Sequence, residues 1–197
     1  MAFREIRPKL QLTFDEFIQT WRALILEYYS RALDPGLTDR ELELKEEGVL
    51  RYSMELSAIL LSIALRAWNA RKQISEQIRR QVSDAVVDSF YEKLFDREYQ
   101  ENRAEYAAYF KSRYERFLQI CPNIADKDER KRQAELIGLA RYLVAQVSKK
   151  PEQENAQAIE QLGIVFFSAA PVFLAMASNS APDVGTIMGK PKFIVQK

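Results

Sequence analysis

The chain has 197 residues, 47% of them hydrophobic and 11% aromatic, with six glycines and seven prolines. That is about one domain's length, enough to bury about 70% of the unfolded surface without a metal or disulfide staple, and the composition excludes a disordered, collagen-like or low-complexity chain. The net charge of +1 sets up no global field toward nucleic acid or anionic lipid.

Residues Met1 to Arg7 carry charges with no apolar run behind them, which does not read as a secretory signal. Thr13 followed by Glu16 is a capping-box signature. Phe14, Phe17, Ile18, Trp21, Leu24, Ile25 and Tyr28 then recur at helical spacing until Asp34-Pro35-Gly36 makes a turn. A second capping box, Thr38 to Glu41, opens a segment reaching about Asn69, with Gly48 as a point of division. From Met54 to Trp68 only Glu55 and Arg66 are charged. A helix apolar on every side belongs in a core or a membrane.

The third helix is expected from about Gln73 to Phe95, with Ile74, Ile78, Val82, Val86, Phe90 and Leu94 as its stripe. The fourth runs from about Arg97 to Ile120, with Tyr99, Tyr106, Phe110, Tyr114 and Phe117 on one face, and Pro122 ends it. The fifth starts near Asp126, with Glu129 as capping partner and Leu136, Ile137, Leu139, Ala140, Leu143, Val144 and Val147 as its inner face. Lys149 and Lys150 suit the negative end of its dipole. Pro151, with Glu152 and Glu154 behind it, reads as the start of the sixth. The pattern stops after Asn179. Within the rest, Phe193-Ile194-Val195 has the composition of a short strand or an arm. No fixed-period repeat and no run long enough to seed a sheet is found.

The chain has no histidine. Ser-His-Asp and Cys-His catalysis are therefore excluded within it, as are His-based zinc sites and Glu-x-x-His di-iron bundles. Carboxylate, lysine and tyrosine chemistry stay open. The single cysteine, Cys121, closes no internal disulfide and builds no thiolate metal site alone; it reads as a small buried hydrophobe at a helix end. No Asn-x-Ser/Thr sequon occurs, and the expected compartment is the cytoplasm.

Five features are candidate carriers of function. Gln161 to Pro182 holds no charge. Its apolar core, Leu162 to Ala177, is shorter than the about 20 residues of a membrane span, has Pro171 in the middle and lacks flanking anchors. It reads as the central buried helix of the bundle, or else as a tail anchor or interfacial segment. The tyrosine-rich fourth helix interleaves Arg103, Lys111, Arg113 and Arg116 with Glu98, Glu101, Glu105 and Glu115. It reads as a core stripe with a Lys111–Glu115 pair, or as a partner surface, since tyrosine suits interfaces. Arg79-Arg80 and Lys127 to Arg132 are too short and too neutralised for a groove-reading module. Gly185 to Lys190 departs from a phosphate loop in its glycine spacing and in Pro191. Glu43, Glu46, Glu47, Asp84 and Asp88 read as solvated helix faces, and no metal site is assigned.

The expected fold is all-α, a single-domain bundle of about six helices over 1–179 with an extended C-terminal tail, 180–197. The expected function is a non-catalytic protein-interaction or scaffold module acting through helix faces. Its expected partner is a second copy of the chain, because homodimers are the commonest closed oligomers. The candidate interaction surface is Tyr106, Tyr109 and Arg113, with the tail as a second surface. One alternative is a sensor or carrier with a pocket for a small apolar ligand between helices. A further alternative is membrane association through 162–177. No catalytic residue or cofactor is assigned, and nucleic acid is not an expected partner.

Overall fold

The computed structural model describes residues 9–33, 48–71, 73–95, 103–183 and 191–196. The turn at 34–36, the capping box Thr38–Glu41, the carboxylates Glu43, Glu46 and Glu47, Tyr99 and the segment Gly185–Lys190 lie outside them. Among these residues the architecture is an all-α bundle of six helices with one small sheet.

Helix α1, Phe14–Ala32, begins where the side chains dictate. Thr13 Oγ1 accepts the Glu16 N–H at 3.3 Å, and Glu16 Oε2 accepts the Thr13 N–H at 2.8 Å. Those bonds from Thr13 hold the Glu16 carboxyl below the usual carboxylate range. The stripe Phe14, Phe17, Ile18, Trp21, Ile25 and Tyr28 is buried.

Helix α2, Gly48–Asn69, is buried over almost its whole length from Met54 to Trp68, as its lack of a polar face requires. It is the hub. Around it stand α3, Glu76–Phe95; α4, Arg103–Ile120; α5, Glu129–Val147; and α6, Ala156–Asn179, which a single 3₁₀ turn, Glu152–Asn155, leads in. Helices α1, α4, α5 and α6 pack on α2, and α3 does so more lightly. Helix α3 also packs on α1, α1 on α6, and α6 on α5, while Phe117 of α4 meets Tyr142 of α5 edge-on. The ring round the hub therefore runs α3–α1–α6–α5–α4. Between α3 and α4 the described residues leave a gap, and α6 lies across the hub from it.

Three helix starts differ from expectation; α3 begins at Glu76 rather than near Gln73. Helix α5 is capped by Asp128, which accepts the Lys131 N–H at 3.1 Å; Asp126 is used two residues earlier, accepting the Asp128 N–H at 3.1 Å. Pro151 precedes a 3₁₀ turn, and the α-helix starts only at Ala156. Buried Asn155 fixes that corner. Its amide donates to the carbonyls of Lys150 and Pro151, both at 3.0 Å, and its Oδ1 accepts from Ser148 at 3.1 Å.

The largest departure is the sheet. Strands β1, Lys9–Leu12, and β2, Ser180–Asp183, flank β3, Lys192–Gln196, all antiparallel. Leu12 lies opposite Phe193, and Phe193 opposite Pro182. Pro182 is tolerated because β2 is an edge strand. The described parts of 180–197 are extended, as expected, but they close a sheet on the bundle. Each strand is too short to signal itself, and β1 finds its partner almost a chain length away. Phe193 is the anchor: it is fully buried and stacks on Phe17 with ring centroids 3.9 Å apart, beside Trp68 and Phe14.

The α5–α6 contact is the most extensive in the bundle among the described residues. A Cβ on Gly163 would lie 2.8 Å from Ile137 Cγ1, whereas one on Gly138 meets nothing within 4 Å. Overpacking costs about 1–3 kcal/mol, more than the about 1 kcal/mol that Ala gains over Gly in a helix. Thermal melts of the two variants are therefore expected to move in opposite directions, with Gly163→Ala less stable and Gly138→Ala more stable than the parent.

Candidate functional site

The face of α4 that meets α2 is organised by the two charges of the apolar stretch. Glu55 and Arg66 are eleven residues apart, three helical turns, so both project from one side of α2. Glu55 is fully buried. Its Oε1 accepts from the Tyr109 hydroxyl at 2.6 Å and pairs with Arg113 Nε at 2.6 Å. Arg113 Nη2 donates to the Tyr142 hydroxyl at 2.8 Å, joining α5 to the cluster. Its guanidinium lies over the Phe117 and Tyr142 rings. Arg66 Nη2 donates to the Leu118 and Gln119 carbonyls, closing the C-terminal end of α4.

The electrostatics follow from burial. Desolvation, then the hydrogen bond to Glu55, pushes the Tyr109 hydroxyl above its usual range. Burial works against the Arg113 charge, but Tyr142 and Glu55 outweigh it and hold the guanidinium more firmly protonated. Glu55 Oε2 has no hydrogen-bond partner among the described residues, so the cluster retains one unsatisfied acceptor.

Of the three residues of the candidate surface, the structure turns two inward. Tyr109 and Arg113 spend their polar groups on Glu55, and Arg113 keeps only 13% of its side chain exposed. Tyr106 is half-buried against the core. Sequence reasoning passed over Glu55, and its signal was there: an acid in a stretch otherwise fit for complete burial needs a buried partner. Lys111 and Glu115 do not pair; both face the gap beside α3.

The second feature is the outer face of α6. Leu162, Gly163, Phe166, Ala169, Ala170, Phe173 and Ala177 are buried. On the other side Ile164, Pro171 and Ala175 are exposed, Ile164 by 58%, with Phe167, Val172 and Met176 half-covered between them. The expectation that 162–177 is the central helix is thus met by α2 instead, and α6 sits in the ring with one apolar side uncovered. Pro171 lies within the helix on its exposed side; near it the Tyr28 hydroxyl donates to the Ser168 carbonyl at 3.3 Å. Arg132 of α5 covers the Phe167 ring.

Cys121 is buried, and burial pushes its thiol up to about 12, which leaves it inert at neutral pH. Among the described residues no three His, Cys, Asp or Glu side chains are placed to hold a metal ion. Comparison of the chain with protein families, with curated proteins and with solved structures finds no match. The functional reading therefore rests on geometry.

Proposed function

We propose that the protein is a non-catalytic helical interaction module that self-associates through the outer face of α6. The uncovered apolar stripe Ile164–Pro171–Ala175 on α6, which holds no charge after Glu160, carries this reading. Elsewhere the ring helices present charged faces to water, including the surface pairs Arg31–Glu27, Arg80–Glu76 and Arg141–Glu152. An exposed apolar stripe rimmed by polar residues suits contact with another chain, and a two-fold dimer would lay the stripe against itself. Tyr109 and Arg113 take a structural role in this reading, holding α4 on the hub.

Light scattering on a sizing column, without detergent, tests it. The parent chain is expected at the mass of a dimer and Ile164→Glu at that of a monomer. Ile164 is more than half exposed, so the substitution is expected to leave the monomer's stability within about 0.5 kcal/mol. A monomeric parent chain overturns the proposal.

A second reading has one observation in its favour: the 3₁₀ turn and α6 together, Glu152–Asn179, are long and apolar enough to cross a membrane by length and composition. Crossing would pull Leu162, Phe166 and Phe173 out of the core, so in this fold the helix would lie on a membrane surface rather than span it. Flotation with vesicles, lost in Ile164→Glu, would favour that reading over self-association. The small-ligand alternative falls to the gap between α3 and α4, whose acidic rim and open outer side suit a charged partner better than a small apolar molecule.

A further inference from the structure

The gap between α3 and α4 is a groove of about 630 Å³, within the about 300–1,000 Å³ of binding clefts generally. Its apolar lining is Val87 from α3 with Ala107 and Phe110 from α4. Tyr91 leans on Phe110 across it, ring centroids 6.1 Å apart. Asp84 and Asp88 stand on one wall and Glu115 on the other, with Lys111 as the single cation of the lining among the described residues. None of these three carboxylates has an ion-pair partner among the described residues. The Tyr114 hydroxyl, also in the lining, is pushed up to about 12, first by burial and then by the charges of Asp84 and Glu115.

The acidic wall continues past the groove. Asp88 also lines a second depression, between α1 and α3, together with Asp15 and Glu92. Asp84, Asp88 and Glu92 are spaced by four residues, so they form a ridge along α3.

We propose that this groove binds a basic amphipathic helix of a partner protein. Charge complementarity selects that occupant. Carboxylates one turn apart match Lys or Arg at the same spacing on an apposed helix, and the Val87–Ala107–Phe110 floor takes that helix's apolar stripe, the helix-in-groove mode of recognition. Its acidic rim discriminates against acidic helices by like-charge repulsion. The site lies across α2 from the α6 face, so it is independent of self-association.

The test is fluorescence anisotropy on the full chain with two labelled Lys/Leu peptides of one composition. One has the residues ordered so that a helix segregates them; the other is scrambled. The segregated peptide is expected to bind, and the scrambled one at least about tenfold more weakly. The triple variant D84N/D88N/E115Q is expected to weaken binding by about tenfold or more, since three rim charges are lost. These side chains are at the surface, and a thermal melt confirms that the variant is folded. Ile164→Glu is expected to bind as the parent does. Equal binding of the scrambled peptide, unchanged binding by the triple variant, loss of binding in Ile164→Glu, or no binding at all each overturns the proposal.

Discussion

Replacing Phe193 with Ala is expected to lower the folding free energy by about 3–5 kcal/mol, the range for a large aromatic removed from a core. Phe193 is fully buried against Phe17, Trp68 and Phe14. Phe17 and Trp68 in turn meet Trp21, and Trp21 meets Phe173. One side chain thus connects the last strand to α1, α2 and α6. Its loss leaves a cavity that rings on three helices cannot all close. The register of β3 against β1 is also set by which residue of the strand enters the core, because a slip of one residue would turn Phe193 outward. Urea unfolding of Phe193→Ala, with the exposed Lys192→Ala beside it as reference, reads the effect. Lys192→Ala is expected to stay within about 0.5 kcal/mol of the parent. Equal midpoints for the two variants would mean that the sheet is not part of the cooperative core.

The second large effect is expected at the Glu55–Arg113 pair. Removing one partner of a buried ion pair costs about 3–5 kcal/mol, because the other charge is left without compensation. Arg113→Met strands Glu55, which is fully buried and keeps the hydrogen bond from Tyr109. Glu55→Met strands Arg113, which keeps a little solvent access and its hydrogen bond to Tyr142. The loss is therefore expected to be greater for Arg113→Met. The double variant, apolar at both positions, is expected to recover much of the loss, as replacement of whole buried pairs often does. A double-mutant cycle in urea measures this. Additive losses would show that the two residues do not act as a unit. Tyr109→Phe removes one donor from the same carboxylate and is expected to cost about 1–3 kcal/mol.

The helices were legible because each carries its own signal. Thr13 and Glu16 mark the start of α1, and the Phe14-to-Tyr28 stripe names its inner face. The run Met54–Trp68, charged only at Glu55 and Arg66, marks a buried helix, although the sequence points to 162–177 for the central place. What escaped reading depends on partners distant in sequence. Lys9–Leu12 and Lys192–Gln196 pair across nearly the whole chain, and neither segment alternates long enough to announce a strand. The direction of Tyr109 and Arg113 is set by Glu55, more than fifty residues away. A tyrosine–arginine face on a helix looks the same in sequence whether it meets a buried acid or water. For α6, composition shows an apolar helix but not how much of it the ring covers; Ile164 and Phe166 differ only in which way the helix turns them. The groove between α3 and α4 had half its signature in Asp84 and Asp88, but the opposing Phe110, Tyr114 and Glu115 come from another helix.

The α6 face carries the account, and a distance measured between protomers tests it most directly. A nitroxide at Ser178→Cys, an exposed position at the end of α6, in a Cys121→Ala background, places one label on each chain. A second sample carries it at Arg80→Cys on α3, on the far side of the bundle. If two copies pack through Ile164, Pro171 and Ala175, pulsed dipolar spectroscopy shows a defined short inter-label distance at Ser178 and a much longer one, or none, at Arg80. No dipolar interaction from the Ser178 label, or a short distance from the Arg80 label, would contradict self-association through α6.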